Sequence, residues 1–473
     1  MPADLRHQDL RDRSWADADL AGADLTGCNL AGANLARADL RGATLVDARL
    51  SGARLVGADL SDARLMGADL TRVNFRDGTA ARANFAHAAL SWGYLVGLDL
   101  RGAVLDTSDL FEAELRGADL SEVWATSVYL RRASLEGVRM RDADLRWAHL
   151  REARMPGADI RGARLESALM RSVDLSEARL DSADLSNADL VGATLEKCDL
   201  LDASLRGAAL ASASLRLSDL ADADASGANL SEADLTLCSL TGTDLSRANL
   251  AGATLDRSVL KGADLTRARL EGATLRGVDM SGARATWARL PGAVLDAARL
   301  TGAALDHADM RGARMDDASL RDASLKDAIL SGAHLVRADL TGARLDQASL
   351  AGADLLDARA GLADLSGADL EGAELGGASL AGADLSEATL AGASMRGVDA
   401  TWADLTRADL TRADLRAAAL CGTRLVQSRL IEAELAGSQT DGADLSDADL
   451  ARADVGETNL SGANLRGART NGI

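Results

Sequence analysis

The chain has 473 residues, of which 47% are hydrophobic and only 2% aromatic, and its 72 acidic against 52 basic side chains leave a net charge of -20. That balance repels phosphate and disfavours direct nucleic-acid binding. No P-loop, HExxH, CxxC or nucleophile elbow occurs, and the 5 His residues fall outside any ligand spacing, so no cofactor, metal site or catalytic centre is expected.

Read in blocks of five from Leu5 to Leu465, 74 of the 93 centre positions are Leu and 70 of the 93 positions two residues earlier are Ala. The phase never slips, which leaves no room for an inserted loop, a linker or a second domain. A period of five suits neither ordinary element. On an α-helix, Leu residues five apart step by about 140° and make no stripe; on a flat strand an odd spacing throws alternate Leu residues to opposite faces. The pattern is solved if each block is a short extended run with Ala and Leu inward and the residue between them outward, followed by a two-residue corner. Repeated turning gives coils that stack.

Blocks such as Ala383-Asp384-Leu385-Ser386-Glu387 resemble those of the pentapeptide repeat proteins. The resemblance covers essentially the whole chain and implies an all-β fold: a right-handed quadrilateral parallel β-helix of about 23 coils, four pentapeptides to a coil, as one domain over residues 1–473. Exceptional centres at Ala80, Ala125, Ala225, Ala285, Ala360, Ala400 and Thr440 fall on two neighbouring columns when wrapped every twenty residues, in keeping with four-block coils. At about 4.8 Å per coil such a rod would run to roughly 110 Å.

Taken in order, residues 1–20 read as an N-terminal capping coil, with Gln8, Arg13 and Ser14 off-pattern and Trp15 as a plug. No secretory h-region and no membrane-length apolar stretch is found, so the expectation is a cytoplasmic protein. Cys28, Cys198 and Cys238 take the small inward position and Cys421 a corner. Cys198 and Cys238 share a column but are separated by Ser218, too far to bridge. Between Phe75 and Trp147 lie eight of the eleven aromatic residues, and Trp92, Phe111, Tyr129 and Trp147 wrap onto or beside one outer face, where they form a candidate partner site or ordinary cross-strand stacking. Met140, Met155, Met170, Met280, Met310, Met315 and Met395 replace Leu at centres as core filler.

The surface is acidic over 174–244, mildly basic over 251–300, and most acidic over 351–450, where 18 Asp or Glu face 7 Arg. Asp364, Asp384 and Asp404 wrap onto one column, Asp354, Glu374, Asp414 and Glu434 onto another, and Asp369 and Asp409 lie between. A carboxylate before Leu also suits a local turn hydrogen bond, so any single Asp reads first as structural and only the cluster as functional. The resemblance implies a non-enzymatic, protein-binding rod. Its most concrete form is an acidic B-DNA mimic for gyrase or topoisomerase IV that protects or inhibits the enzyme, as quinolone-resistance members do. The competing reading is a scaffold or self-assembling protein. The repeat runs to Leu465, residues 466–473 read as a short tail, and the uncovered Leu460 and Leu465 suggest homodimerisation through C-terminal coils.

Overall fold

The computed structural model describes residues 5–472. Each block uses its first two residues as a corner, followed by the inward small residue, a single bridge residue and the inward centre. At the second corner residue φ is positive everywhere from His7 to Gly472 except Gly462, while the first corner residue keeps negative φ, which is the type II turn. That is why Gly is so often last in the repeat: 39 of the 45 glycines hold this left-handed position.

The bridge residues pair only in parallel and always with the residue twenty positions on, as in Asp59↔Thr79 and Asp364↔Asp384. Twenty residues are four blocks, so each coil closes after four corners and lies in register on the next. Among the described residues there is no continuous strand. The extended runs expected from the repeat shrink to one bridge residue each, because a corner intervenes every five residues. The one helical segment is a 3-10 turn at Leu460–Gly462.

An account of backbone N–H groups explains the rest of the consensus. In the block ending at Leu30, Gly27 donates to Val46 one coil on, Cys28 closes the turn onto Leu25, Asn29 donates back to Gln8 and Leu30 donates forward to Arg49. Only the first corner N–H lacks a backbone acceptor, and the side chain two residues earlier supplies one. Asp59 Oδ1 accepts from Ser61 N at 2.9 Å, and Asn84 Oδ1 accepts from Ala86 N at 2.9 Å. At Trp124, Thr274, Ser324 and His334 the bridge side chain does not accept this bond and a carboxylate one coil back does: Asp106, Asp256, Asp306 and Asp316 accept from Thr126, Arg276, Lys326 and Val336.

The core is the stacked centres and small inward residues. Leu245, Leu290 and all seven centre Met residues are fully buried, and each buried Leu contributes roughly 1.5–3 kcal/mol before chain entropy. Inward hydroxyls and thiols donate to centre carbonyls, in the preceding coil for Cys198 Sγ to Leu175 O at 3.0 Å and Thr423 Oγ1 to Ala400 O at 2.8 Å, and in their own turn for Ser108 to Leu105 O and Ser428 to Leu425 O. Burial pushes the Cys198 and Cys238 thiols up to about 12, so neither is a nucleophile at neutral pH. The chain forms two compact units, Met1–Ser239 and Leu240–Ile473, each built on the same block. Of the expected capping coil, residues 1–4 lie outside the described residues. Trp15 occupies its centre half-buried, its indole Nε1 buried without a hydrogen-bond partner.

Candidate partner-binding surface

The register places the acidic residues in the columns that the repeat implies. Asp364, Asp384 and Asp404 are successive bridges; Asp354, Glu374, Ser394, Asp414 and Glu434 form a second ladder; Asp369 and Asp409 are separated by Thr389 in a third. Seven of these nine carboxylates are also corner caps. Asp364, Asp384, Asp404 and Asp409 accept from the first corner N–H at 2.9–3.1 Å, and Asp354, Asp369 and Asp414 do the same at 3.1 Å. Glu374 and Glu434 are one methylene longer and serve no such cap.

The set divides by charge compensation. Arg416 lies 2.6 Å from Asp414 and 3.1 Å from Glu434, and its bidentate grip holds the Asp414 carboxyl below the usual range. Arg424 approaches Asp404 at 3.3 Å and Arg429 approaches Asp409 at 3.8 Å. Among the described residues, Asp354, Asp364, Asp369, Glu374 and Asp384 have no basic partner. The reason is visible in the chain: from 360 to 395 there are six acidic residues and not one Lys, Arg or His. Asp364 and Asp384 sit one coil step apart, where two unit charges repel by roughly 0.9 kcal/mol even at the dielectric of water.

In the first unit, the aromatic candidates form two contacts rather than one continuous stack. Trp92 meets Phe111 edge-on at 5.7 Å, with its indole N–H donating to Glu112 and Arg72 lying over its ring. Tyr129 stacks on His149 at 4.4 Å, and burial followed by the nearby Arg151 holds that imidazole below its usual value. Phe111 and Tyr129 share an open recess of about 350 Å³ with Thr107, Asp109 and Arg131. Trp147 packs under Arg146 instead. Val455, Leu460 and Leu465 are half-exposed, and the 3-10 turn at Leu460–Gly462 replaces the regular corner there.

Sequence reasoning passed over Leu362 and Trp402, the most exposed large apolar side chains among the described residues at 73% and 75%. Their signal was available: both are bulky residues at the second corner position, where Gly and polar residues predominate.

Comparison with protein families matches the profile described as pentapeptide repeats, at 3–35, 18–55, 43–79 and in further segments, some of them overlapping, to 428–467. The chain belongs to the pentapeptide repeat family. Among solved structures, this pentapeptide repeat protein is similar to HetL, involved in heterocyst differentiation regulation in the cyanobacterium Nostoc sp. strain PCC 7120, at 33% identity over 50% of this chain and 88% of that one, with a TM-score of 0.24. It is similar to QnrB1, a plasmid-mediated fluoroquinolone resistance protein, at 16% identity over 38% of this chain and 94% of that one, with a TM-score of 0.21. It is also similar to Rfr23 from the cyanobacterium Cyanothece 51142 at 24% identity, over 26% of this chain and 88% of that one, with a TM-score of 0.16. No curated protein matches. Among the described residues of this pentapeptide repeat protein, no helix is long and apolar enough to cross a membrane, and no group of three or more His, Cys, Asp or Glu could hold a metal ion.

Proposed function

We propose that this pentapeptide repeat protein is a single non-enzymatic, protein-binding solenoid, a right-handed quadrilateral β-helix of about 23 coils, and that the 351–450 stretch presents B-DNA-like charge to a DNA-handling enzyme such as gyrase or topoisomerase IV. The observation that carries the reading is the uncompensated column formed by Asp364 and Asp384 with Asp354, Asp369 and Glu374 around it, in a stretch where 360–395 supplies no basic residue. A net charge of -11 over 351–450 spans five coils, about 24 Å, where B-DNA carries roughly 14 charges at about one per 1.7 Å. The remainder of the chain is too dilute in charge to act this way.

The experiment is a gyrase supercoiling assay with the parent chain and with Asp364, Asp384 and Asp404 changed together to Asn. Inhibition or protection by the parent that the triple variant loses supports the reading; an effect that survives neutralisation removes it. The recess beside Phe111 and Tyr129 favours a second reading, a scaffold that binds a protein through the aromatic face. A pull-down whose yield depends on Phe111 and Tyr129 but not on the acidic column would select it.

A further inference from the structure

Leu362 and Trp402 are retained against two preferences at once. Each exposes about three-quarters of its surface, and each holds a left-handed φ, 58° and 61°, that disfavours any residue with a Cβ. They occupy the same corner edge two coils apart, and the corner between them is Gly382, with Gly422 one coil beyond. Both lean over the glycine of the next coil: Leu362 Cδ2 lies 3.0 Å from where a Gly382 Cβ would stand, and the Trp402 ring covers the corresponding point at Gly422. The glycines therefore make room for a continuous apolar strip four coils long. The adjoining first-corner residues at 361, 381, 401 and 421 are uncharged as well. Two residues further round the coil runs the Asp364–Asp384–Asp404 column.

From this juxtaposition we infer that the edge docks a cationic amphipathic α-helix of a protein partner, its apolar stripe on Leu362 and Trp402 and its Lys or Arg side chains on the carboxylate column. The inference rests on the reading of the acidic stretch as a partner surface and adds to it the apolar anchor. Charge complementarity selects this occupant: a second acidic copy, an anionic bilayer and duplex DNA are all repelled by a column that has no basic residue over 360–395. The repeat also matches. A helix returns to one face every turn, about 5.4 Å, and the coils recur at about 4.8 Å, so apolar and basic stripes along a straight helix stay close to register over four coils. An exposed Trp at the centre of such a strip is the residue type that dominates binding energy at protein interfaces.

The test uses a fluorescent Leu/Lys peptide of about 18 residues, five helical turns, patterned to be amphipathic as a helix, and a second peptide of the same composition in shuffled order. Anisotropy titrations are run at about 0.15 M ionic strength. The parent chain is expected to bind the amphipathic peptide at least about tenfold tighter than the shuffled one, and the double variant Leu362→Gly, Trp402→Ala to lose at least about tenfold while melting no lower than the parent. Equal binding of the two peptides overturns the inference. So does unchanged binding by the Leu362→Gly, Trp402→Ala chain; if Asp364→Asn with Asp384→Asn still abolishes binding in that case, the acidic surface stands and the apolar anchor falls, whereas loss in neither variant removes both. Parent self-association by light scattering that disappears in Trp402→Ala also overturns it, because the strip would then be a contact between copies.

Discussion

Replacing Asp384 separates the two roles that its carboxylate combines. Its Oδ1 accepts from Ser386 N at 2.9 Å, the one backbone donor in that block that no carbonyl of the lattice receives, and its charge lies one coil from those of Asp364 and Asp404. Asn keeps the acceptor, as Asn29, Asn34, Asn84 and Asn229 do at the same position. Asp384→Asn should therefore be neutral or slightly stabilising, since it relieves a repulsion of roughly 0.9 kcal/mol per neighbour at the dielectric of water. Asp384→Ala should cost about 1 kcal/mol for the lost hydrogen bond, offset in part by the same relief. Making the change at Asp364 and Asp384 together doubles the Asn–Ala gap to about 2 kcal/mol. Because a solenoid opens locally, the sharper assay is hydrogen exchange at the Ser366 and Ser386 amides: protection should be kept in the Asn variants and fall in the Ala variants. Equal protection in the Ala and Asn variants would show that these carboxylates do not cap the corners.

Further outcomes follow from the same geometry. Leu245→Asp places a charge at a fully buried centre and should lower the stability measured by urea unfolding by more than about 4 kcal/mol, while the exposed corner change Arg247→Asp should be mild; comparable losses would overturn the inward and outward assignment. Leu362→Gly removes a side chain from left-handed backbone and should raise stability by about 1 kcal/mol in thermal melts, an unchanged or lower midpoint counting against the strain. Asp181 has its pKa raised by burial and by the facing Asp199. A raised carboxyl favours folding only where it is protonated, so its contribution is present below the unfolded value and lost as pH rises. Asp181→Asn should accordingly stabilise the chain at neutral pH and lose that advantage below about pH 4, and a benefit independent of pH would refute the assignment.

The fold was legible because one period runs through the whole chain: five-residue spacing excludes helix and flat strand, and the inward Ala and Leu follow from it. The twenty-residue register was only hinted at by the exceptional centres and is set by the paired bridges. What a block pattern cannot show is pairing across coils. The substitution of Asp106 for a missing cap at Trp124 depends on a carboxylate one coil away, and the neutralisation of Glu434 by Arg416 on a partner 18 residues back. The stretch without basic residues from 360 to 395 is legible in the chain, but which of the other acidic candidates are compensated depends on such contacts across coils. Which of the aromatic rings touch depends on whether each sits at a bridge or a corner, and Trp147, on a corner, packs with Arg146. The sequence signal of Leu362 and Trp402 is only a bulky residue at the second corner position in a chain that is 47% hydrophobic, and their exposure and shared edge emerge from the structure.

The claim that the 351–450 stretch stands in for duplex DNA is tested most directly by displacement. Gyrase is loaded with a fluorescent duplex and titrated with the chain at several salt concentrations. A DNA mimic displaces the duplex stoichiometrically, weakens as salt rises, and loses its effect when Asp364, Asp384 and Asp404 are all changed to Asn. Binding of the chain to the enzyme with the duplex still in place, or no binding at all, contradicts the account.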